Sequence, residues 1–333
     1  MDKELKVYAE LLQRYITTLD ERFLYRAEQI SNVFIKNDIL PAELIKIHME
    51  AMEQEQIKLS DEATFAMDFL LEAMIAYGVA QKNYNRVKEE QLLLKNEIQI
   101  AANMQQEFLG THVPTSEHLD IGAITIPFNQ MNGDYFHFIK NEEGKLGVAI
   151  ADIVGKGVPA ALSMSMIKYS LDSLDGKDDS PKRILKQLNR VVEQNIASNM
   201  FITMFFVEFN PTRNLLTYSS AGHEPGFFYN AEKDTFEEIE ADGLVLGVLE
   251  HTNCNEYQKE MKQDDFIVLL TDGVTECKYK GRFITREEVL QVIRKFMYLS
   301  PENHVAAVYN HFANLDEFEL KDDFTLIIIK KVV

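Results

Sequence analysis

The spacing of apolar residues changes once along this chain, near Pro114. Before that proline, apolar residues recur three and four positions apart, which is the period of one helix face. After it, short apolar runs of β type alternate with turns. Residues 1–80 contain a single proline, Pro41, and no glycine before Gly78. The sequence therefore predicts a bundle of about four helices over 1–80, with Pro41 in the first turn of one of them.

A weak seam continues the helical pattern beyond the bundle, from Ala66 to Phe108. Its steps alternate between four and three residues, the spacing of heptad a and d positions. Glutamines, among them Gln91 and Gln105, occupy seam positions where a permanent coiled coil would carry Leu, Ile or Val. Two interpretations stay open: a helix that packs on its own domain, and a marginal coiled coil whose formation is regulated. Residues 81–112 are predicted to be this helical linker.

Residues 113–333 are predicted to form an α+β domain. Strands occur in meanders and helices in pairs rather than in strict βαβ alternation, which favours antiparallel sheets with helices outside. Turns are predicted at 141–144 and 210–214. The predicted strands are 121–126, 135–139, 147–151, 201–209, 215–219, 227–229, 266–270 and 324–329, and the predicted helices are 158–174, 181–197, 285–298 and 301–315.

The bulk composition limits the partners and the compartment. A net charge of −19 argues against a nucleic-acid partner, because polyanions are bound through basic surfaces. The only cysteines, Cys254 and Cys277, are typical of a reducing compartment rather than of a disulfide framework. The first residues lack the basic-then-apolar order of a signal peptide. No apolar run approaches the roughly 20 residues that a membrane span requires. We therefore expect a cytoplasmic protein without a membrane partner.

Aspartates lie at or beside the ends of predicted strands in four short segments. They are Asp134, Asp152, Asp272 and the adjacent pair Asp322 and Asp323. Carboxylates repel one another when gathered, so their convergence usually indicates divalent cations of the Mg or Mn kind. Two such ions about 3.5–4 Å apart can generate a hydroxide, bind phosphoryl oxygens and stabilise an in-line displacement. The leading prediction is a two-metal hydrolase, although each segment alone is also compatible with an ordinary turn.

Other catalytic patterns are weaker or absent. The Gly-Lys-Gly loop at 155–157 lacks the Walker pattern, since Val158 stands where Ser or Thr is required. There is no Gly-x-Ser-x-Gly nucleophile motif, and no His-x-x-x-His or Cys-x-x-Cys pair for zinc. His223 follows a predicted strand, and two interpretations of it stay open, a cleft residue and a turn residue. These absences favour a mechanism without a covalent protein intermediate.

In their order, the segments resemble the PPM family of metal-dependent serine/threonine phosphatases, and more specifically its SpoIIE-like branch. The resemblance covers essentially all 333 residues and implies an α/β/β/α sandwich of antiparallel sheets, two Mn²⁺ or Mg²⁺ ions at one end, and metal-activated water that attacks phosphoserine. The motifs that carry it are 97–106, 151–157, 221–225, 271–276 and 322–325.

The resemblance also implies roles for individual residues. Asp323 is implied either to support the metal ligands without binding an ion itself or to be an alternate ligand, because many family members carry Asn there. Eukaryotic relatives have Gly-His-Gly after Asp152, where this chain has Ile-Val-Gly at 153–155, so their proposed acid has no counterpart. Protonation of the leaving group then falls to solvent or to another group such as His223. The implied metal ligands are Asp134, Asp152, the backbone carbonyl of Ile153, Asp272 and Asp322.

Relatives with this arrangement imply partners as well. The N-terminal domain would form a homodimer together with the linker and would bind an RsbT-like activator. The substrate would be a phosphorylated RsbV-like anti-anti-sigma factor in a stress-response pathway. The alternative is a non-catalytic signalling adaptor with a degenerate PPM domain. All four main carboxylate positions are filled, which favours the enzyme.

Overall fold

The structure is a computed structural model that describes residues 3–37, 39–110, 112–141, 144–155, 157–173, 180–196, 200–250 and 254–333. The chain divides into two compact units, Met1–Lys95 and Asn96–Val333. Parts of the predicted turn at 141–144 and of the loop at 155–157 lie outside the described residues. The division into 1–80, 81–112 and 113–333 stays a prediction.

The first unit is helical. It contains α1 (Lys3–Thr18), α2 (Arg22–Lys36), α3 (Pro41–Gln54) and the first part of α4 (Asp61–Leu109). Pro41 occupies the first turn of α3, as its fixed φ favours. Ser60 accepts a hydrogen bond from the Ala63 N–H at 3.2 Å and so caps α4. Phe34 and Ile47 form a small buried core in this unit.

Helix α4 leaves many apolar side chains exposed. By length and composition it qualifies as a helix that can cross a membrane, and only 6% of its apolar 18-residue stretch is buried. This finding contradicts the expectation that no apolar run approaches the length of a membrane span. Length and composition alone do not distinguish such a span from a helix that pairs with a protein partner.

The second unit contains two five-stranded antiparallel sheets and a small third sheet. Its helices are α5 (Val158–Asp172), α6 (Pro181–Asn195), α7 (Asp272–Thr275), α8 (Arg286–Phe296) and α9 (Pro301–Ala313). Its strands are β1 (Leu119–Ile126), β2 (Asp134–Lys140), β3 (Leu146–Ile153), β4 (Ile202–Asn210), β5 (Leu215–Ala221), β6 (Gly226–Asn230), β7 (Thr235–Ile239), β8 (Tyr257–Glu260), β9 (Phe266–Leu270), β10 (Lys278–Tyr279), β11 (Arg282–Phe283), β12 (Phe318–Glu319) and β13 (Phe324–Lys331). The strand orders are β2-β3-β4-β5-β8, β1-β13-β9-β6-β7 and β11-β10-β12.

The two large sheets pack face to face between two layers of helices. Ile150 and Phe205 lie in the core between the sheets. Ile167 of α5 and Leu185 of α6 cover the outer face of the first sheet, and α8 and α9 cover the second. Strands β3 and β13 are therefore buried on both faces, which explains their nearly continuous apolar sequences. The predicted α/β/β/α fold class is confirmed.

Strand register brings distant residues to one end of this sandwich. Asp134 at the start of β2 lies opposite Asp152 of β3. Thr125 of β1 lies opposite Thr325 of β13, and the Thr325 carbonyl accepts the Thr271 N–H at 3.2 Å. The predicted aspartate segments consequently meet where β2 begins and where β3 and β9 end.

Candidate metal and active site

Asp134 is the most enclosed of the candidate ligands. Only 4% of its surface is exposed. Its Oδ2 accepts hydrogen bonds from the Thr271 and Thr325 hydroxyls, each at 2.7 Å. Burial raises the pKa of Asp134 well above its usual range, and the two hydroxyls only partly oppose this shift. The nearby charges of Asp152 and Asp323 raise the pKa further.

Gly133 lies within a group of oxygen atoms. A Cβ at Gly133 would lie 3.1 Å from Asp323 Oδ2, 3.7 Å from Asp152 Oδ1 and 3.7 Å from the Ile153 carbonyl oxygen. Asp323 itself accepts the Phe128 N–H at 2.6 Å through Oδ1 and the Gly133 N–H through Oδ2. A side chain at 133 would therefore crowd the Asp323 carboxylate and contact the Asp152 carboxylate and the Ile153 carbonyl.

Asp272 and Asp322 form a second acidic group. Asp272 begins the short helix α7 and is half-buried. Burial raises its pKa to about 6, and the charges of Glu276, Asp322 and Glu224 contribute further. Asp322 Oδ1 accepts the Asp323 N–H at 2.9 Å, so it helps to shape the start of β13.

The donor chemistry fits divalent cations of the Mg or Mn kind. All the converging atoms are carboxylate or carbonyl oxygens, which are the ligands that such hard cations prefer. A cation would also stabilise the ionised carboxylates of Asp134 and Asp272, whose pKa values are raised in its absence. Within the described ranges, no three His, Cys, Asp or Glu side chains are grouped tightly enough to be a formed metal site. The donor atoms are therefore of the type that these cations bind, and they lie in two neighbouring groups, one around Asp134 and one around Asp272.

The structure distinguishes Asp322 from Asp323. Asp323 lies with Asp152 and Asp134, and both of its carboxylate oxygens already accept backbone N–H groups. This arrangement suits a residue that shapes the 128–133 segment. Asp322 instead acts electrostatically on Asp272. Which of these aspartates bind metal stays a prediction.

His223 is enclosed beside the same strands. Its Nδ1 lies 2.8 Å from Thr203 Oγ1, and that hydroxyl is 3.5 Å from the Asp152 carbonyl oxygen. Although the residue as a whole is half-buried, its Nε2 is fully buried and makes no hydrogen bond of ordinary geometry within the described chain. Burial lowers the pKa of His223 to about 4, against a smaller opposing effect of the Leu270 backbone. At neutral pH the ring is therefore uncharged, which argues against His223 as the proton donor.

The sequence did not predict the hydroxyl residues that hydrogen-bond within the site. Thr271 and Thr325 hold the Asp134 carboxylate, and Thr125 lies 2.9 Å from Thr325, oxygen to oxygen. The available signal was their position, because Thr271 and Thr325 are end residues of the segments 271–276 and 322–325 that carry the predicted aspartates.

Comparison with known proteins identifies the chain. The family model of Stage II sporulation protein E (SpoIIE) matches residues 142–332, and that of the N-terminal domain of phosphoserine phosphatase RsbU matches residues 6–80. Phosphoserine phosphatase RsbU of Bacillus subtilis (strain 168) is 45% identical over 326 residues, which cover 98% of this chain and 97% of that protein. The chain belongs to the RsbU phosphoserine phosphatase family. It is a protein-serine/threonine phosphatase of the PPM type, as its sequence predicts.

Solved structures agree on the fold of this phosphatase. The SiaA-PP2C domain of Pseudomonas aeruginosa has a TM-score of 0.59 at 16% identity and covers 73% of this chain and 98% of its own. RsbX in complex with magnesium has a TM-score of 0.50 at 17% identity and covers 66% of this chain and 98% of its own. At these identities the likeness concerns the fold alone.

The raised pKa of Asp272 predicts a specific pH dependence for the chelator-treated protein. Its ordinary pKa is 3.8 and its folded pKa is about 6, so the folded state retains this proton to higher pH than the unfolded state. The contribution of Asp272 to stability therefore falls as pH rises from about 4 to 6 and stays low above that. Asp272→Asn removes this titration. We expect the unfolding free energy of the variant, relative to wild type in EDTA, to increase through that window in denaturant titrations.

The exposed Asp316 gives a matched control, because Asp316→Asn makes the same chemical change at the surface. Its difference from wild type provides the flat reference against which the slope for Asp272→Asn is judged. An equally flat profile for Asp272→Asn would contradict the environment described for this carboxyl.

Proposed function

We propose that this phosphatase removes phosphate from the serine of an RsbV-like anti-anti-sigma factor in a stress-response pathway, and that an RsbT-like activator binds its N-terminal domain. The match of residues 6–80 to the RsbU N-terminal domain supports the activator, and the 45% identity to RsbU supports the substrate class. The chain covers nearly all of that relative, so both its regulatory and its catalytic regions have a counterpart.

The proposed cofactors are two Mn²⁺ or Mg²⁺ ions. The residues that would hold them are Asp134, Asp152, the Ile153 carbonyl, Asp272 and Asp322, with Asp323 shaping the segment before Asp134. When bound, such ions lower the pKa of a water molecule and neutralise charge on phosphoryl oxygens. The magnesium complex of RsbX, a protein with this fold, supports the assignment.

The observation that carries the proposal is the meeting of Asp134 and Asp152 across β2 and β3, with the Ile153 carbonyl nearby. Phosphoserine carries a charge of about −1.5 to −2 at neutral pH, so a bare acidic site would repel it. The protein's own part is to hold the donors: Thr271 and Thr325 fix one oxygen of the Asp134 carboxylate. Because His223 is uncharged at neutral pH, we propose that solvent protonates the leaving serine.

A phosphatase assay on a phosphoserine protein tests this function. Activity should require Mn²⁺ or Mg²⁺ and should disappear with a chelator. Loss of a residue that only supports a metal ligand typically lowers activity about 10–100-fold. Asp152 is proposed as a direct ligand, so Asp152→Asn should have a larger effect. We expect it to lower kcat/KM by at least about 100-fold. Asp120→Asn is the control, since Asp120 lies at the far end of β1 from Thr125. Activity that survives both chelation and Asp152→Asn would exclude the metal mechanism.

We also propose a homodimer through the N-terminal domain and α4. Seam residues from Leu70 to Leu94 are exposed in the single chain; among them are Leu70, Tyr77, Tyr84, Val87 and Leu94. Their heptad spacing favours a second copy of the same helix as the partner. Glutamine at the seam weakens such a dimer, so an activator needs only a few kcal/mol of differential binding to stabilise it.

A cytoplasmic location is part of the same proposal. The net charge of −19 and the two buried, unbridged cysteines support it. Charged residues are frequent in α4 after Gly78, which favours a helix partner over lipid for this part of the helix.

Substitution at Gln91 tests the linker. Gln91 is exposed on α4, whereas Gln105 is buried within the second unit and cannot serve as a simple seam probe. Gln91→Leu should strengthen dimerisation in analytical ultracentrifugation, because an apolar residue replaces a polar one at a heptad position, and should raise basal activity. Asn85→Leu, at an exposed heptad b position on the outer face of the same helix, should change neither. A stronger dimer with unchanged basal activity would refute the linker switch.

A further inference from the structure

A buried glutamine joins three elements of the second unit. Gln105 lies near the end of α4, and 8% of its surface is exposed. Its Nε2 donates to the backbone carbonyl of Asn132 at 2.9 Å, and its Oε1 accepts the N–H of the same residue at 3.0 Å. Nε2 also lies 3.2 Å from Sδ of Met164 in α5. One side-chain amide thus pairs with both backbone groups of the residue two positions before Asp134.

Hydrogen bonds continue from Asn132 to the Asp134 carboxylate. Asn132 Nδ2 donates to Thr125 Oγ1 at 2.8 Å, and Asn132 Oδ1 accepts the Asp134 N–H at 3.1 Å. The Thr125 and Thr325 hydroxyl oxygens are 2.9 Å apart, and Thr325 donates to Asp134 Oδ2 at 2.7 Å. A hydroxyl has one proton to donate. The Thr325 proton is already used, so Thr125 donates to Thr325, and the side-chain donors of Asn132, Thr125 and Thr325 all point toward the carboxylate.

The space around Gln105 indicates what its removal would do. A cavity of about 340 Å³ lies beside it and is also lined by Met164, Asn132 and Asp134. This volume admits water, and the cavity offers polar partners. Water can therefore satisfy the Asn132 backbone when the amide is absent. The fold then persists while the geometry before Asp134 loses its support.

We propose that Gln105 is a positioning residue of the phosphatase site. It holds the 132–134 segment and, through that segment, the Asp134 carboxylate. The inference rests on the proposed role of Asp134 as a metal ligand. Gln105 belongs to α4, and its second contact, Met164, belongs to α5, which follows the strand that carries Asp152. A displacement of the end of α4 would therefore release both contacts together.

The test compares Gln105→Leu with Gln106→Leu in the full-length protein. Gln106 is the exposed neighbour on the same helix, so the control makes the same chemical change without breaking these bonds. Calorimetric titration with Mn²⁺ alone should show a dissociation constant about 10–100-fold higher for Gln105→Leu, the size typical of lost outer-shell support. In metal-free protein, hydrogen exchange at the Gly133 and Asp134 amides should accelerate. These amides do not contact Gln105 directly, so faster exchange reports the transmitted effect.

Gln105→Met provides the second variant. Its side chain is unbranched, flexible and uncharged but cannot pair with the two backbone groups of Asn132, so its Mn²⁺ affinity should fall to the level of Gln105→Leu. It also replaces Gln105→Leu if that variant fails to fold by circular dichroism. Mn²⁺ affinity and Gly133–Asp134 exchange equal to those of Gln106→Leu would overturn the inference. If wild type binds no Mn²⁺, the proposed metal site fails, and the exchange rates alone then decide whether Gln105 holds this segment.

Discussion

Electrostatic repulsion among buried carboxylates is the constraint on which this site depends. Asp134 and Asp152 face each other across two antiparallel strands, and Asp323 approaches from the other sheet. Like charges placed opposite each other on adjacent strands destabilise a sheet, and burial disfavours the charged form of the Asp134 carboxyl. The pKa of Asp134 is raised for these reasons. The arrangement is unfavourable unless protons or cations compensate it, and divalent cations are the compensation that also serves phosphoester hydrolysis.

The sandwich supplies the rigidity that keeps these groups together. Strands β3 and β13 are buried on both faces, so a one-residue shift in register would move every side chain from one packed layer into the other. Hydroxyl and amide groups then fix individual carboxylates, as Thr271 and Thr325 do for Asp134. Helix α4 contributes at both of its ends: it leaves an apolar seam exposed in the first unit and inserts Gln105 into the second. A regulatory partner of α4 would thus act on the element that supports the Asp134 segment.

Much of this architecture was predictable because the local spacing of apolar residues along the sequence indicates which segments form strands and helices. The buried strand Leu146–Ile153 begins with an apolar run, 146–151, that is followed directly by Asp152, and the pairing of helices indicated the outer layers. The two-residue strands β10 to β12 are too short to have a period, and one-turn α7 resembles an Asp-Gly turn. Thr325 and Asp134 are 191 residues apart in sequence, so their hydrogen bond follows only from the sheet register. Helical spacing likewise placed Gln105 on the seam but left open whether it faces a second copy or its own domain, and the structure shows the latter.

Diffraction from crystals grown with Mn²⁺ tests the central claim most directly. An anomalous difference map recorded near the manganese edge should show two peaks about 3.5–4 Å apart at the strand ends that carry Asp134, Asp152 and Asp272. Each ion should lie within about 2.0–2.6 Å of carboxylate or carbonyl oxygens. A map without a peak there, or with manganese only elsewhere on the protein, would contradict the account.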